Sequence, residues 1–446
     1  MMSKARDTLP HATKLLVICS VIFVLKSGAS HQRLDIDDSD KTPLQANITT
    51  GDDRWEKVLL TDAASKNGAV CLDGSPGGYY IRRRNDDRND SVENNWIVFH
   101  QGGGWCGSNT NCLKRSKGRL GSSNFWGPTY EYGVHGFAGS ELFSTPLFEN
   151  YTIVYAMYCD GTSWTSDVDY PVKVSNNTNE TIYFRGRRLL DALIDNLVSV
   201  EGLQNASKVL YSGCSAGALT TFLHIDYVAS RLSPFSPTVK ILGLADAMFS
   251  LDRNQFNGAP GGLQKSMKWG YQAWNSSYSV NTGCKKAHSK EDEWKCMIGE
   301  HVSIFVKTDL FIINSKYDTW QRKAILGADC DIGINCPKAQ ETFDILYGQS
   351  MVTALEKIPK EHGYFVSNCP SHCQSGLKFN WNYVTIDNVT MKDAFLMWYK
   401  QKNNPSKSDQ VHIRLVDTGD AGPSGANVCP KRRSDFVADK MFQSIG

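Results

Sequence analysis

With 446 residues and 41% apolar content, the chain can bury one large core or two ordinary ones, which excludes disorder as its default state. Its formal net charge of +2 is spread along the whole sequence, which excludes a polyanion-binding surface as the main function; nucleic acid is not an expected partner.

The first segment reads as an address label. Lys4, Arg6 and Lys14 precede an apolar run of eleven residues from Leu15 to Leu25, and the small residues Ser27, Gly28, Ala29 and Ser30 follow it. This pattern predicts a signal peptide over residues 1–29 and hence a secreted protein. At about 1.5 Å per residue the run covers roughly half of a bilayer's hydrocarbon core, and no later run is longer, so no stable membrane span is expected once the leader is removed. Residues 30–53 are polar and acidic, with Asp35, Asp37, Asp38 and Asp40 close together, and predict a disordered linker. Residues 54–446 are then expected to form a single catalytic domain.

Twelve of the thirteen cysteines survive removal of the leader, and several sit in close pairs: Cys106 and Cys112, Cys284 and Cys296, Cys330 and Cys336, Cys369 and Cys373. Oxidised staples are the natural reading. Zinc is the rival, but no pair is followed by a second Cys or His pair at finger-like spacing. Cys214 falls inside the proposed catalytic turn; setting it aside leaves eleven, so at least one further thiol is free or pairs with it. Asn-X-Ser/Thr sequons begin at Asn47, Asn89, Asn150, Asn176, Asn179, Asn205, Asn275 and Asn388, as agrees with export.

From Trp55 onward, short β-rich runs alternate with helical patterns. Predicted strands are Trp96 to His100, Thr152 to Ala156, Lys208 to Ser212, Val239 to Ala245, Leu310 to Asn314 and Val411 to Val416; a further run covers Gly363 to Ser367. Helical stretches are Tyr183 to Val200, with Leu189, Leu193, Leu197 and Val200 at steps of three and four, and Ala218 to Leu232. This order predicts an α/β-hydrolase-like fold, a mainly parallel central sheet flanked by helices. Residues 254–301 and 327–337 are rich in Gly, Cys and Trp with poor periodicity, and predict disulfide-stapled, lid-like loop insertions.

Chemistry concentrates at Gly213-Cys214-Ser215-Ala216-Gly217, between the strand Lys208 to Ser212 and the helix from Ala218. A serine hydroxyl is a poor nucleophile; a sharp turn holds it where a base can reach it, and flanking glycines tolerate that turn. The helix beginning there aims its N–H groups and positive dipole end at the site. A bland alternative is a tight turn whose serine is only a cap. Upstream, Gly102-Gly103-Gly104 follows the strand Trp96 to His100 and offers bare N–H groups for an oxyanion, with Gly103, Gly104 and Ala216 as donors.

Chain order requires the acid and then the histidine to follow the serine, each at the carboxyl end of a strand. Asp318, just beyond Leu310 to Asn314, is the expected acid, with Asp246 as runner-up that could serve only to fix a loop. Of the ten histidines, His362, His372 and His412 follow Asp318; His372, in the loop Asn368-Cys-Pro-Ser-His-Cys373, is the expected base. Trp105, Asp160 and Trp164 are candidates for a substrate rim, with burial in the core as the competing expectation for either tryptophan.

Together these residues make the chain resemble the pectin acetylesterase and Notum carboxylesterase family. Gly102-Gly-Gly-Trp-Cys106, Tyr158-Cys-Asp-Gly161, Tyr183-Phe-Arg-Gly186, Ser212 to Gly217, Tyr317-Asp-Thr-Trp-Gln321 and His372-Cys-Gln374 are similar to that family's blocks, in the same order. The resemblance implies the triad Ser215, Asp318 and His372 and the oxyanion donors Gly103, Gly104 and Ala216. Tyr183 to Gly186 and Cys214 look closer to the pectin acetylesterase branch. Gln101 stands where the family usually has Glu, Gly104 where the Notum branch has Trp, and Ala218 where a Gly is usual. The implied function is removal of O-acetyl groups from an extracellular polysaccharide, without a metal or organic cofactor. Two alternatives remain: a Notum-like deacylase taking a fatty acyl group from a secreted protein, or an inactive carbohydrate-binding protein on the same fold. Oligomeric state is not legible.

Overall fold

The computed structural model describes residues 55–84, 93–128, 140–175, 179–404, 412–419 and 429. The expected leader (1–29) and linker (30–53) lie outside the described residues, as does Val411. Nine strands form one sheet: β1 Trp55–Leu59, β2 Gly78–Arg82, β3 Asn95–His100, β4 Thr152–Ala156, β5 Lys208–Cys214, β6 Lys240–Asp246, β7 Leu310–Ser315, β8 Gly363–Ser367 and β9 Arg414–Val416. Their order across the sheet is β1-β2-β4-β3-β5-β6-β7-β8-β9. Only β2 runs against its neighbours; every pairing from β4 through β9 is parallel.

Burial explains why the central strands were legible. Residues 95–100, 152–156, 310–315 and 363–367 are buried at every position, as expected for parallel strands covered on both faces. The sheet margins differ: β1 and β9 are short and half-buried, with charged residues interrupting the apolar ones. Neither β1 nor β2 was predicted. β5 and β6 run to Cys214 and Asp246, further than the apolar runs alone suggest.

Seven principal helices flank this sheet or build the layer above it: α1 Asn109–Ser116, α2 Gly186–Ser199, α3 Ala216–Leu232, α4 Gly262–Ala273, α5 Thr319–Ala324, α6 Lys338–Leu355 and α7 Met391–Asn403. α2 buries Leu189, Leu193 and Leu197, as the periodicity predicts, whereas Val200 is exposed at its end. α3 lies on β5 and β6, and α7 on β8. The insertion at 254–301 is mostly α4 and short helical turns rather than open loop. Among the described residues no helix is long and apolar enough to cross a membrane.

All twelve cysteines beyond the leader are paired. Cys106–Cys112, Cys284–Cys296 and Cys330–Cys336 follow the close spacing, but Cys369 and Cys373 do not join each other. Cys369 bonds Cys429, and Cys373 bonds Cys214, the residue before Ser215; Cys71–Cys159 completes the set. The backbone explains the correction: Cys373 takes a left-handed conformation, φ 59°, where the chain reverses. Of the sequons on described residues, Asn179, Asn205, Asn275 and Asn388 are exposed.

Cys71–Cys159 closes a loop of 88 residues between the chain before β2 and the end of β4. By loop-closure entropy, replacing both cysteines with alanine should lower unfolding free energy by about 4 kcal/mol, read as a lower denaturant midpoint, with a steeper slope because the released denatured chain is more expanded.

Three buried histidines set the response to acid. Burial pushes His100 and His224 down to about 3 and His362 down to about 4. Their stabilisation is present above the unfolded value of about 6.5 and is lost as pH falls through the window below it. Asp246, pushed up to about 6 by burial, acts in the opposite sense between about 4 and 6. Asp160 and Asp344, also raised by burial, act with Asp246. The three imidazoles take up protons on unfolding across the interval from about pH 7 to pH 5, so the melting temperature should fall on acidification over that range; a flat or rising profile would contradict their dominance.

Candidate active site

Ser215 occupies the junction of β5 and α3 with φ 57° and ψ −123°, so the strain of the turn sits on the serine itself rather than on the glycines beside it. The glycines are needed for proximity. A Cβ at Gly217 would lie 2.0 Å from the His100 carbonyl oxygen, and one at Gly213 would lie 2.4 Å from the Gly217 main chain. Because both are bare, α3 starts directly against the ends of β3 and β5. Ser215 donates its N–H to the Asp246 carbonyl at 2.9 Å, is 1% exposed, and its hydroxyl has no hydrogen-bond partner among the described residues.

The glycine cluster after β3 backs onto this turn. A Cβ on Gly102 would meet the Cys214 carbonyl oxygen at 2.5 Å and the Ser215 Cβ at 3.0 Å. Gly103 and Gly104 have φ 142° and 65°, conformations that favour glycine. Their carbonyls are held: Arg115, at the end of α1, donates through Nη2 to both, and the Tyr158 hydroxyl donates to Gly104 O at 2.9 Å. In a trans peptide the N–H points opposite the C=O, so anchoring Gly103 O turns the Gly104 N–H away from Arg115. The N–H groups of Gly103, Gly104 and Ala216 are taken by no acceptor among the described residues. Gln101 accepts the Tyr158 N–H at 2.9 Å through Oε1, a bond that a glutamate would also make.

Asp318 ends the loop after β7 and is fully buried. Its Oδ1 accepts the Gln321 N–H at 2.8 Å, so it caps α5 and is fixed by it. His372, in the loop after β8, places Nδ1 2.8 Å from Asp318 Oδ2 and 3.0 Å from Oδ1. A carboxylate there selects the tautomer protonated on Nδ1 and leaves the lone pair on Nε2. The next residue, Cys373, is bonded to Cys214, with Cα atoms 5.5 Å apart, and an imidazole nitrogen of His372 lies within 4.8 Å of both sulfurs. Thus the loop carrying the histidine is covalently tied to the residue before the serine.

The carboxylate of Asp246, the runner-up acid, is taken up by the turn that follows His372. It accepts Gln374 N–H at 3.2 Å, Ser375 N–H at 2.7 Å and Ser375 Oγ–H at 2.6 Å. It therefore fixes the turn after His372, the loop-fixing role that the sequence left open for it.

The three rim candidates separate. Trp105 is half-buried, donates Nε1–H to Ser163 Oγ at 2.7 Å, and packs edge-on against half-buried Trp320 with ring centroids 5.5 Å apart. Asp160 and Trp164 are buried at 0% and 2%, so neither belongs to a rim. Asp160 accepts the N–H groups of Thr162 and Trp164 and so supports a turn in which Ser163 and Trp164 both have positive φ. Burial raises its carboxyl above the usual range, against the hydrogen bonds that lower it.

Several supporting residues were not anticipated. Trp320 flanks His372 at 6.1 Å between ring centroids. Ser163 accepts the Trp105 indole N–H, donates Oγ–H to Ala216 O at 2.8 Å, and donates N–H to the Tyr158 hydroxyl at 3.0 Å. Arg115, Tyr158 and Ser163 bind main-chain groups, which leaves no spacing motif to read; Trp320 carried a signal in its place two residues after Asp318.

Since Gly102 separates the two loops by so little, Gly102→Ala should drive Cys214 and the 102–104 segment apart. Loss of about 100-fold or more in kcat is expected on p-nitrophenyl acetate, with a native far-UV circular dichroism spectrum; a near-wild-type rate would show that the close approach is dispensable.

Comparison with known proteins agrees with this architecture. Pectin acetylesterase 11 of Arabidopsis thaliana is 29% identical over 362 residues, covering 78% of this chain and 88% of its own length. The palmitoleoyl-protein carboxylesterase NOTUM of Schmidtea mediterranea is 27% identical over 382 residues, covering 82% of this chain and 68% of its own. Among solved structures, the Wnt deacylase Notum from Drosophila matches with a TM-score of 0.70 at 21% identity, covering 85% of this chain and 100% of that one, which shows the shared fold. The Pectinacetylesterase family model matches residues 51–418, and the chain belongs to that family.

Proposed function

We propose that this protein is a secreted serine carboxylic-ester hydrolase that removes O-acetyl groups from an extracellular polysaccharide such as pectin. The observation that carries the reading is the 2.8 Å contact between His372 Nδ1 and Asp318, on a loop tied through Cys373–Cys214 to the strained Ser215 turn. Kinship with proteins named pectin acetylesterases supports the ester chemistry and the acetyl group.

Ser215 Oγ attacks the acetyl carbonyl carbon while His372 Nε2 takes the hydroxyl proton. The negative charge that develops on the carbonyl oxygen is received by the N–H groups of Gly103, Gly104 and Ala216. Collapse breaks the ester C–O bond, and the departing sugar oxygen takes the proton from His372. Water then attacks the acetyl-serine with the same histidine as base, releasing acetate and restoring the hydroxyl. Asp318 holds the imidazole in the required tautomer and offsets its positive charge in both steps.

Two features favour a polymeric alcohol over a long acyl chain. Gly104 carries no side chain, and a Cβ placed there would meet nothing within 4 Å, which leaves that side of the loop open. Trp105 and Trp320 form a half-buried aromatic corner beside His372, suited to stacking on a sugar ring. Full oxidation of the cysteines agrees with an extracellular site of action.

Ser215→Ala should abolish hydrolysis of p-nitrophenyl acetate while leaving the melting temperature within a few degrees of wild type; retained turnover would discard the proposal. Esters of increasing chain length divide the remaining readings. Acetate preference is expected, a long-chain preference would favour the deacylase reading, and no activity on any ester would favour an inert binding protein.

A further inference from the structure

Asp246 ends β6 with its side chain fully buried, one strand away from the acid that orients His372. All three hydrogen bonds to its carboxylate come from Gln374 and Ser375, the turn that follows His372. Its main-chain carbonyl meanwhile accepts the Ser215 N–H at 2.9 Å. One residue therefore holds both halves of the site: the serine turn through its backbone, the histidine loop through its side chain.

Both carboxylate oxygens accept, Oδ1 from the Gln374 N–H and Oδ2 from the Ser375 N–H and hydroxyl, so the anchor needs two acceptors that an amide does not offer. Burial pushes Asp246 up to about 6 in spite of its three donors, so its ionised form costs stability at neutral pH. A buried anion also acts on the charged groups that face it. From the loop after β8 comes His372, whose charge favours the ionised carboxylate. Asp318 contacts that same imidazole from the loop after β7. Across the sheet Asp246 pairs with Cys214, held in its disulfide, on β5 and with Ile313 on β7, and neither carries a charge.

We propose that Asp246 is a positioning residue for both halves of the site: its carbonyl fixes the Ser215 turn, and its carboxylate fixes the His372 loop and places a second negative charge near the imidazolium formed during turnover. This rests on the roles given above to Ser215 and His372. Asp318 selects the tautomer and touches the ring; Asp246 acts at one remove, through the turn and through its field.

Asp246→Asn preserves size but removes the charge and one of the two accepting oxygens. On p-nitrophenyl acetate, kcat should fall about ten-fold or more with KM within two-fold of wild type. The acid limb of the kcat profile should also move to lower pH by roughly half a unit or more, because His372 loses a nearby anion and protonates less readily. A purely structural role would not move that limb. Ser375→Ala deletes only the 2.6 Å bond to Oδ2 and should lower kcat about three-fold with the limb unmoved. Unchanged kcat and limb in Asp246→Asn, or a loss confined to KM, would overturn the proposal; if that variant does not fold, a wild-type kcat in Ser375→Ala overturns it. Ser215→Ala measured alongside keeps the two levels apart. An inactive Ser215→Ala with a wild-type Asp246→Asn sinks this inference alone, whereas an active Ser215→Ala sinks the reading beneath it.

Discussion

The close approach of two strand ends and one helix start is the constraint on which the rest depends. Gly217 lies on the last carbonyl of β3, Gly213 lies on Gly217, and Gly102 lies on the carbonyl of Cys214, each with no room for a methyl group. Main chain therefore meets main chain where the ends of β3 and β5 meet the start of α3. Only such contact brings the bare amides of one loop beside the serine of the next without intervening side chains. The serine bears the cost of this compression as an unfavourable backbone conformation, and the first turn of α3 together with the Asp246 carbonyl holds it there.

Around this contact the protein is built as a set of ties to main-chain atoms. Arg115 and Tyr158 hold two carbonyls of the glycine loop, Ser163 links that loop to Ala216, and Asp160 supports the turn that carries Ser163. On the opposite side, Asp318 is immobilised as the cap of α5, and Asp246 and a disulfide secure the two ends of the Cys373–Ser375 turn. Most of these groups are buried, where a hydrogen bond to a charged partner is strong and an unmade one is expensive. Such preorganisation lets the donors face a developing charge without reorganising.

How much of this could be read from the sequence depended on what kind of interaction each residue makes. Central strands declared themselves because burial on both faces demands unbroken apolar runs, as in Leu310–Ser315; β1 and β2 did not, because Glu56, Lys57 and Arg82 break the pattern at the margin. Ser215, Asp318 and His372 are proposed from their order relative to strand ends, a constraint of topology. Asp160 and Trp164 misled because residue type suits a sugar site equally well whether the side chain faces solvent or core. Cys369 and Cys373 misled because proximity in sequence says nothing about direction when the chain reverses between neighbours. Arg115 and Ser163 were invisible, since a carbonyl ligand can be any residue.

The bridge between Cys214 and Cys373 spans 159 residues, and between its ends lie α3, β6, the 254–301 layer, β7, α5, α6 and β8. Of the six bridges it encloses the longest stretch of chain, so its formation draws the most distant parts of the domain together. Under the roles proposed above, a molecule lacking it would keep the serine turn but lose the covalent link from that turn to the histidine loop.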